Sequence, residues 1–129
     1  MNVLDENILE GQRRLLQKWG IPFRQIGVEI GRKGIDDREI IRLLRSLRYP
    51  TLFAVDYHFY KRGLCHARYS LVQLDVAQPE AAHFIRRVLR HPDFNTHAKR
   101  MGVVIRASQT GLTVWRRNAE LETHYAWKD

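Results

Sequence analysis

The segment from Asp36 to Val55 constrains the fold more tightly than any other. Ile40, Ile41, Leu43, Leu44 and Leu47 recur at helical spacing, and Pro50 stops the periodicity. Thr51-Leu-Phe-Ala-Val55 follows at once as an unbroken apolar run. A strand that is apolar on both sides has to be covered on both sides, which is the condition of a buried strand in a parallel sheet. Asp36, with Glu39 three residues on, carries helix-start chemistry, because an Asp side chain caps the free N–H groups of a first turn. A helix that feeds directly into a fully buried strand predicts an α/β protein.

The remaining segments fit that class. Asn2–Leu4 reads as a short buried strand ending on Asp5. Ile8, Leu9, Leu15, Leu16 and Trp19 suit one face of a helix stopped by Gly20, with Gln12, Arg13, Arg14, Gln17 and Lys18 on its wet face. Phe23–Val28 reads as a second strand, and Gly27, Gly31 and Gly34 space out a turn-rich link after it. Tyr69–Leu74 is a fourth strand, and Gln78-Pro-Glu opens a helix with Ala82, Phe84, Ile85, Val88 and Leu89 on its apolar face. Met101–Ala107 and Leu112–Arg116, joined by Gln109-Thr-Gly111, read as a hairpin. The order predicts one domain over residues 1–129, three layers deep. Its mostly parallel central sheet carries helices on both faces and a C-terminal hairpin. Asn118 to Asp129 reads either as a loose tail or as a segment packed across the sheet.

Charge and cysteine content narrow the function classes. Lys and Arg number 22 against 14 Asp and Glu, a formal net charge of +8, which favours a polyanionic partner: nucleic acid first, an acidic protein segment second. Cys65 is the sole cysteine, so an intrachain disulfide and a Cys-based zinc site are both excluded, and a lone thiol suits a reducing compartment. No apolar run approaches the ~20 residues of a membrane span. Asp5, Glu6 and Glu10 stand where a secretory leader carries basic and apolar residues. A cytoplasmic protein with no membrane contact is the expectation. The glycines do not follow G-x-G-x-x-G and no Gly-Lys-Ser/Thr occurs, which weakens a nucleotide-binding reading. No nucleophile elbow or Ser-His-Asp arrangement is visible.

Three carboxylates stand at matching stations. Asp5 ends the first strand, Asp56 the third, and Asp37 opens the second helix. In a parallel sheet these ends share one rim. Carboxylates gathered there repel one another unless a cation neutralises them, and hard ions such as Mg2+ and Mn2+ take oxygen ligands. Such an ion activates water and stabilises displacement at a phosphodiester. Blander roles exist for the same groups. Asp37 in a first helical turn complements the helix dipole, and Glu6 and Glu39 are either outer partners that orient the ligands or solvated helix-start charges. Beside Asp56, the segment bearing Tyr57, Phe59, Tyr60, Lys61, Arg62, His66 and Arg68 interleaves aromatics with cations. Aromatic faces stack unpaired bases and cations meet phosphates, which suits single-stranded RNA, unless Phe59 belongs to the core. Arg86, Arg87, Arg90 and Arg100 would extend a basic patch or lie on solvated surface.

Asp5-Glu-Asn7 after a short strand, Asp37-Arg-Glu-Ile40 at a helix start, and Ala54-Val-Asp56-Tyr-His58-Phe59 at a strand end resemble the motifs of the PIN-like families. Within them the likeness is to the small group related to the Mut7-C ribonucleases. The resemblance covers the first half of the chain in motifs and the second half in element order only. It implies a PIN-like three-layer fold and a divalent-metal-dependent ribonuclease acting on single-stranded RNA, plausibly the VapC-like toxin of a toxin–antitoxin pair. Asp5, Asp37 and Asp56 would hold Mg2+ or Mn2+, with Asn7 and His58 orienting ligands or water and His58 counted with the catalytic set. An antitoxin protein and a second copy of the chain are the implied protein partners. Two departures matter: Ala54 stands for the family's threonine and His58 for its second aspartate. Histidine ligates Mn2+ and titrates near neutral pH but binds Mg2+ poorly, so one ion is expected and a second is doubtful. The alternative is a PIN-like module with weakened or lost catalysis that binds RNA or a protein partner.

Overall fold

The apolar run from Thr51 to Ala54 becomes a strand near the middle of a seven-stranded sheet in the computed structural model, which describes residues 1–129. In chain order the elements are β1 (Asn2–Leu4), α1 (Glu10–Lys18), β2 (Arg24–Gln25), α2 (Asp37–Ser46), β3 (Thr51–Ala54), β4 (Ser70–Leu74), α3 (Ala81–Arg90), α4 (His97–Arg100), β5 (Val103–Ser108), β6 (Gly111–Arg116) and β7 (Thr123–Tyr125). The sheet order is β2-β1-β3-β4-β5-β6-β7, with β1 to β5 parallel and β6 and β7 antiparallel. The expected α/β class, the mostly parallel sheet and the C-terminal hairpin are therefore present. No helix is long and apolar enough to cross a membrane.

Period-two alternation along the strands divides the core into two layers. Leu4, Phe53, Val72 and Ile105 point to the side holding Leu16 of α1 and Phe84, Ile85 and Val88 of α3. Val3, Leu52, Ala54, Leu71 and Val104 point to the other side, under Ile40 and Leu44 of α2. The second layer has only one long helix, and the β3–β4 connection fills the rest of it. The sequence left open whether Phe59 of that connection belongs to the core. The connection makes two short 3-10 turns, Tyr57–Phe59 and Arg62–Leu64, and sends Phe59 and Tyr69 into the core, 2% and 3% exposed.

Three segments differ from expectation for identifiable reasons. The strand expected over Phe23–Val28 is only two residues long, because Gly27 takes a φ of +85° and the N–H groups of Val28 and Glu29 turn back onto the Gln25 carbonyl. Gln12, expected on the wet face of α1, is buried, and its side-chain oxygen accepts the Ala82 N–H at 2.9 Å. It thereby satisfies a free donor in the first turn of α3. The C-terminal segment packs and is not a loose tail. Thr123–Tyr125 extends the sheet beside β6, so close that a Cβ on Gly111 would collide with the Tyr125 carbonyl. Trp127 follows it, donating Nε1–H to the Ser108 carbonyl at 2.8 Å.

Candidate metal centre and basic cleft

The chain leaves β1 toward β2 on one side, while β3 lies on the other side of β1. This reversal is the topological switch point at which open α/β sheets collect ligands, just beyond the carboxyl ends of the strands. Asp5 follows β1 there and Asp56 follows β3 by two residues, with the Asp5 N–H bonded to the Phe53 carbonyl at 3.0 Å.

Asp36 caps α2 as expected, accepting the Glu39 N–H at 2.8 Å, so Asp37 is free to project from the first turn. Asp56 opens the first 3-10 turn. Its Oδ1 accepts the His58 N–H at 2.9 Å and stands 3.0 Å from His58 Nδ1. The result is a cluster in which one ligand atom each from Asp37, Asp56 and His58 lies within 4.8 Å of the others. Opposite ligands around a Mg2+ or Mn2+-sized ion stand about 4.2 Å apart at ~2.1 Å bond lengths, so small side-chain rotations bring this donor set into range. Two carboxylates and an imidazole suit Mn2+ better than Mg2+.

Asp5 stays outside that cluster. It is 3% exposed, and its Oδ2 accepts the Asn7 N–H at 3.3 Å. Burial pushes its carboxyl above the ordinary range and the nearby charges of Glu6 and Asp56 add to this, against the opposing N–H bonds from Asn7 and Glu6. The turn that carries it is built rigidly. The buried Gln25 amide donates to the carbonyls of Asp5 and Ile8 at 3.0 and 2.9 Å, and Arg13 holds Gln25 Oε1 at 3.1 Å. Arg13 in turn grips Glu29 with two hydrogen bonds, 2.9 and 3.0 Å. Gln25 and Arg13 were not singled out in the sequence, where nothing distinguishes them from solvated residues. Of the expected outer partners, Glu6 holds the Gly34 N–H and Glu39 pairs with Arg32 at 3.0 Å. Asn7 contributes its backbone: its N–H to Asp5 and its carbonyl to Gln78, at 2.8 Å.

The aromatic and basic residues after Asp56 do not form one patch. Tyr57 is exposed and leans on the His58 ring, with centroids 4.3 Å apart. Tyr60 is occupied, its hydroxyl donating to Glu122 and its ring lying under Arg106. Arg62 turns toward Trp115 on another surface. His66 and Arg68 immediately precede β4 and so lie at the amino rim, the opposite edge from Asp56, because Thr51 and Ser70 are paired in parallel register. Burial pushes the His66 imidazole down, and the surrounding charges of Arg45, Arg117 and Arg68 push it further.

A cleft of about 460 Å3 opens between α2 and the two 3-10 turns. Asp37 and His58 line one end of it, Lys61 one wall, and Arg38, Arg42 and Arg45 the other. Its apolar surface comes from Ile41, Phe59 and Leu64. Nothing in the sequence shows that the β3–β4 connection folds up against the helix arginines. No family model matches the chain, and no curated protein or solved structure matches it significantly. The function has to be read from the fold and from the side chains at its carboxyl rim.

Proposed function

We infer that the protein is a PIN-like, divalent-metal-dependent ribonuclease acting on single-stranded RNA. The observation that carries this reading is the Asp37–Asp56–His58 cluster at the switch point, opening into a cleft walled by lysine and arginine. Asp37, Asp56 and His58 would hold the ion, and Asp5, buried beside Asp56, would contribute negative charge behind it. A Mg2+ or Mn2+ ion held there supplies charge neutralisation and an activated water at a phosphodiester. His58 would offer Nε2 to the ion while its Nδ1 stays oriented by Asp56. Lys61 and Arg38 meet the negative charge of the scissile phosphate's neighbours. The reading of the protein as a toxin held by an antitoxin, or as a dimer, rests on motif resemblance alone.

The test is cleavage of a labelled single-stranded RNA with Mn2+ by wild type, Asp56→Asn and Asp37→Asn. Cleavage lost in both variants supports the reading, and equal cleavage by all three proteins overturns it. The second reading, a PIN-like module that binds RNA without cutting it, is favoured by His58 where the family has a carboxylate. It predicts RNA binding with no cleavage under any divalent ion.

A further inference from the structure

Four cations without a carboxylate partner line a single cleft of this basic chain. On α3, Arg86 stacks over Trp19 at 3.8 Å, and Arg87 pairs with Asp129 at 2.6 Å while covering Trp127. Arg100 is buried, with hydrogen bonds to Thr51 Oγ1 and the Phe94 carbonyl at 3.0 and 2.7 Å. These arginines serve the fold. Arg38, Arg42 and Arg45 of α2 enter none of the ion pairs in the molecule, and neither does Lys61 across the cleft. Spacings of four and three residues put the arginines on one helix face, in a row about 10 Å long at 1.5 Å per residue. Like charges at this spacing repel in the free protein. An anion carrying regularly repeated negative charge relieves that repulsion.

The row has two defined ends. At the upper end Asp37 and His58 line the same cleft. At the lower end Arg45 also lines a second recess of about 350 Å3 with Arg48, Tyr49 and Arg68. Tyr49 is 54% exposed and holds a φ of +49°, unusual for a bulky residue, with its carbonyl fixed by the N-terminal ammonium at 2.9 Å. It stands as an aromatic face at the end of a line of arginines.

We propose that the cleft along α2 is the track of a single-stranded nucleic acid. Its phosphates lie on Arg38, Arg42, Arg45 and Lys61, and the strand runs from the carboxylate–histidine cluster toward Tyr49. The placing of the scissile phosphate rests on the ribonuclease reading; the track itself does not. Duplexes are read by elements inserted into their grooves, whereas a concave cleft with an apolar floor admits an unpaired strand whose bases seek stacking partners. An acidic peptide would satisfy the arginines but does not bring a base to every charge, as a nucleic acid does for stacking on the exposed Tyr49 ring.

Fluorescence anisotropy of a labelled oligouridylate in EDTA, across a range of salt, reads binding without chemistry. Four neutralised phosphates give a log–log salt slope of about −3 for wild type, at ~0.7 per phosphate on single strands. Arg42→Ala/Arg45→Ala is expected to bind at least tenfold more weakly, with a slope shallower by about 1.4. Lys61→Ala, on the opposite wall, shortens the slope by about 0.7 without altering α2. Arg90→Ala, on the other face of the sheet, behaves as wild type. An unchanged affinity and slope in both cleft variants overturns the track. So does tighter binding of a polyglutamate peptide of equal charge. Wild type that binds in this arginine-dependent way but never cleaves with Mn2+ overturns the ribonuclease reading and leaves the track standing.

Discussion

Both carboxylate oxygens of Glu6 accept the backbone N–H of Gly34, at 3.0 and 3.1 Å. The bond ties the end of β1 to the loop three residues before Asp37, across the mouth of the switch point. Gly34 holds a φ of +78°, a left-handed conformation that a side chain would resist. Glu6 thus holds the loop that leads to Asp37 and lies outside the Asp37–Asp56–His58 cluster.

Glu6→Ala is therefore expected to cost about 1 kcal/mol of stability, the scale of a part-exposed charge-assisted hydrogen bond. It is also expected to weaken Mn2+ binding several-fold through Asp37, with Glu6→Gln intermediate. Urea denaturation and calorimetric titration with Mn2+ read the two effects. Wild-type Mn2+ affinity in Glu6→Ala would show that the loop places Asp37 without this clamp.

Asp5 links stability to acidity. Its folded-state pKa is raised, chiefly by burial, so the ionised carboxylate costs stability at neutral pH, and that cost fades as pH falls through the folded pKa. Asp5→Asn is expected to raise the melting temperature at pH 7, and the gain is expected to shrink steadily on acidification. Under the ribonuclease reading the same variant loses activity about 100-fold, the scale of removing one preorganised electrostatic group. A melting temperature that falls at pH 7 would mean that Asp5 is stabilised by a partner other than the Asn7 and Glu6 amides.

The sequence carried the strand and helix order because Thr51–Ala54 and the Ile40/Leu44 stripe are unambiguous in period, and both are buried as that period demands. It carried Asp37 and Asp56 because each stands at an element end, and ends of parallel strands share a rim; His58 entered through the motif resemblance, and Asp5, expected among the ligands by the same strand-end argument, lies outside the cluster. Three things were beyond it. Gln25 and Arg13 look solvated in sequence, yet one buried amide organises the Asp5 turn, since only tertiary contact brings carbonyls to it. The division of arginines into structural and free depends on partners far along the chain, as Arg87 and Asp129 illustrate. The path of residues 55–69 from the carboxyl rim to the amino rim separates His66 and Arg68 from Asp56, although only about ten residues intervene.

Under the metal-dependent reading, His58 would decide which ion the cluster prefers. An imidazole softens a donor set that would otherwise be all oxygen, and its Nδ1 is already oriented 3.0 Å from Asp56 Oδ1. Wild type is expected to bind Mn2+ at least tenfold more tightly than Mg2+. His58→Asp restores a third carboxylate and is expected to narrow that ratio by raising Mg2+ affinity. Paired calorimetric titrations measure the ratio. A His58→Asp protein that discriminates as strongly as wild type would remove His58 from the ligand set.

The C-terminal segment covers the edge of β6 and anchors itself to α3. Trp127 packs edge-on against Phe84 with centroids 5.7 Å apart and lies under Arg87, which Asp129 holds in place. β7 covers the edge of β6, and Glu122 occupies the Tyr60 hydroxyl beside the β3–β4 connection. Trp127→Ala is expected to cost about 2 kcal/mol, less than the ~3–5 kcal/mol of a fully buried tryptophan because this ring is only half-buried. Deletion of residues 122–129 goes further, leaving β6 as an uncovered edge with unpaired N–H and C=O groups, the condition for edge-to-edge association. The truncated chain is expected to melt lower and to elute as oligomers at concentrations where the full chain does not. Thermal denaturation and size-exclusion chromatography of the two proteins side by side measure both outcomes. Unchanged elution would mean that the twist or charge of β6 protects its edge without β7.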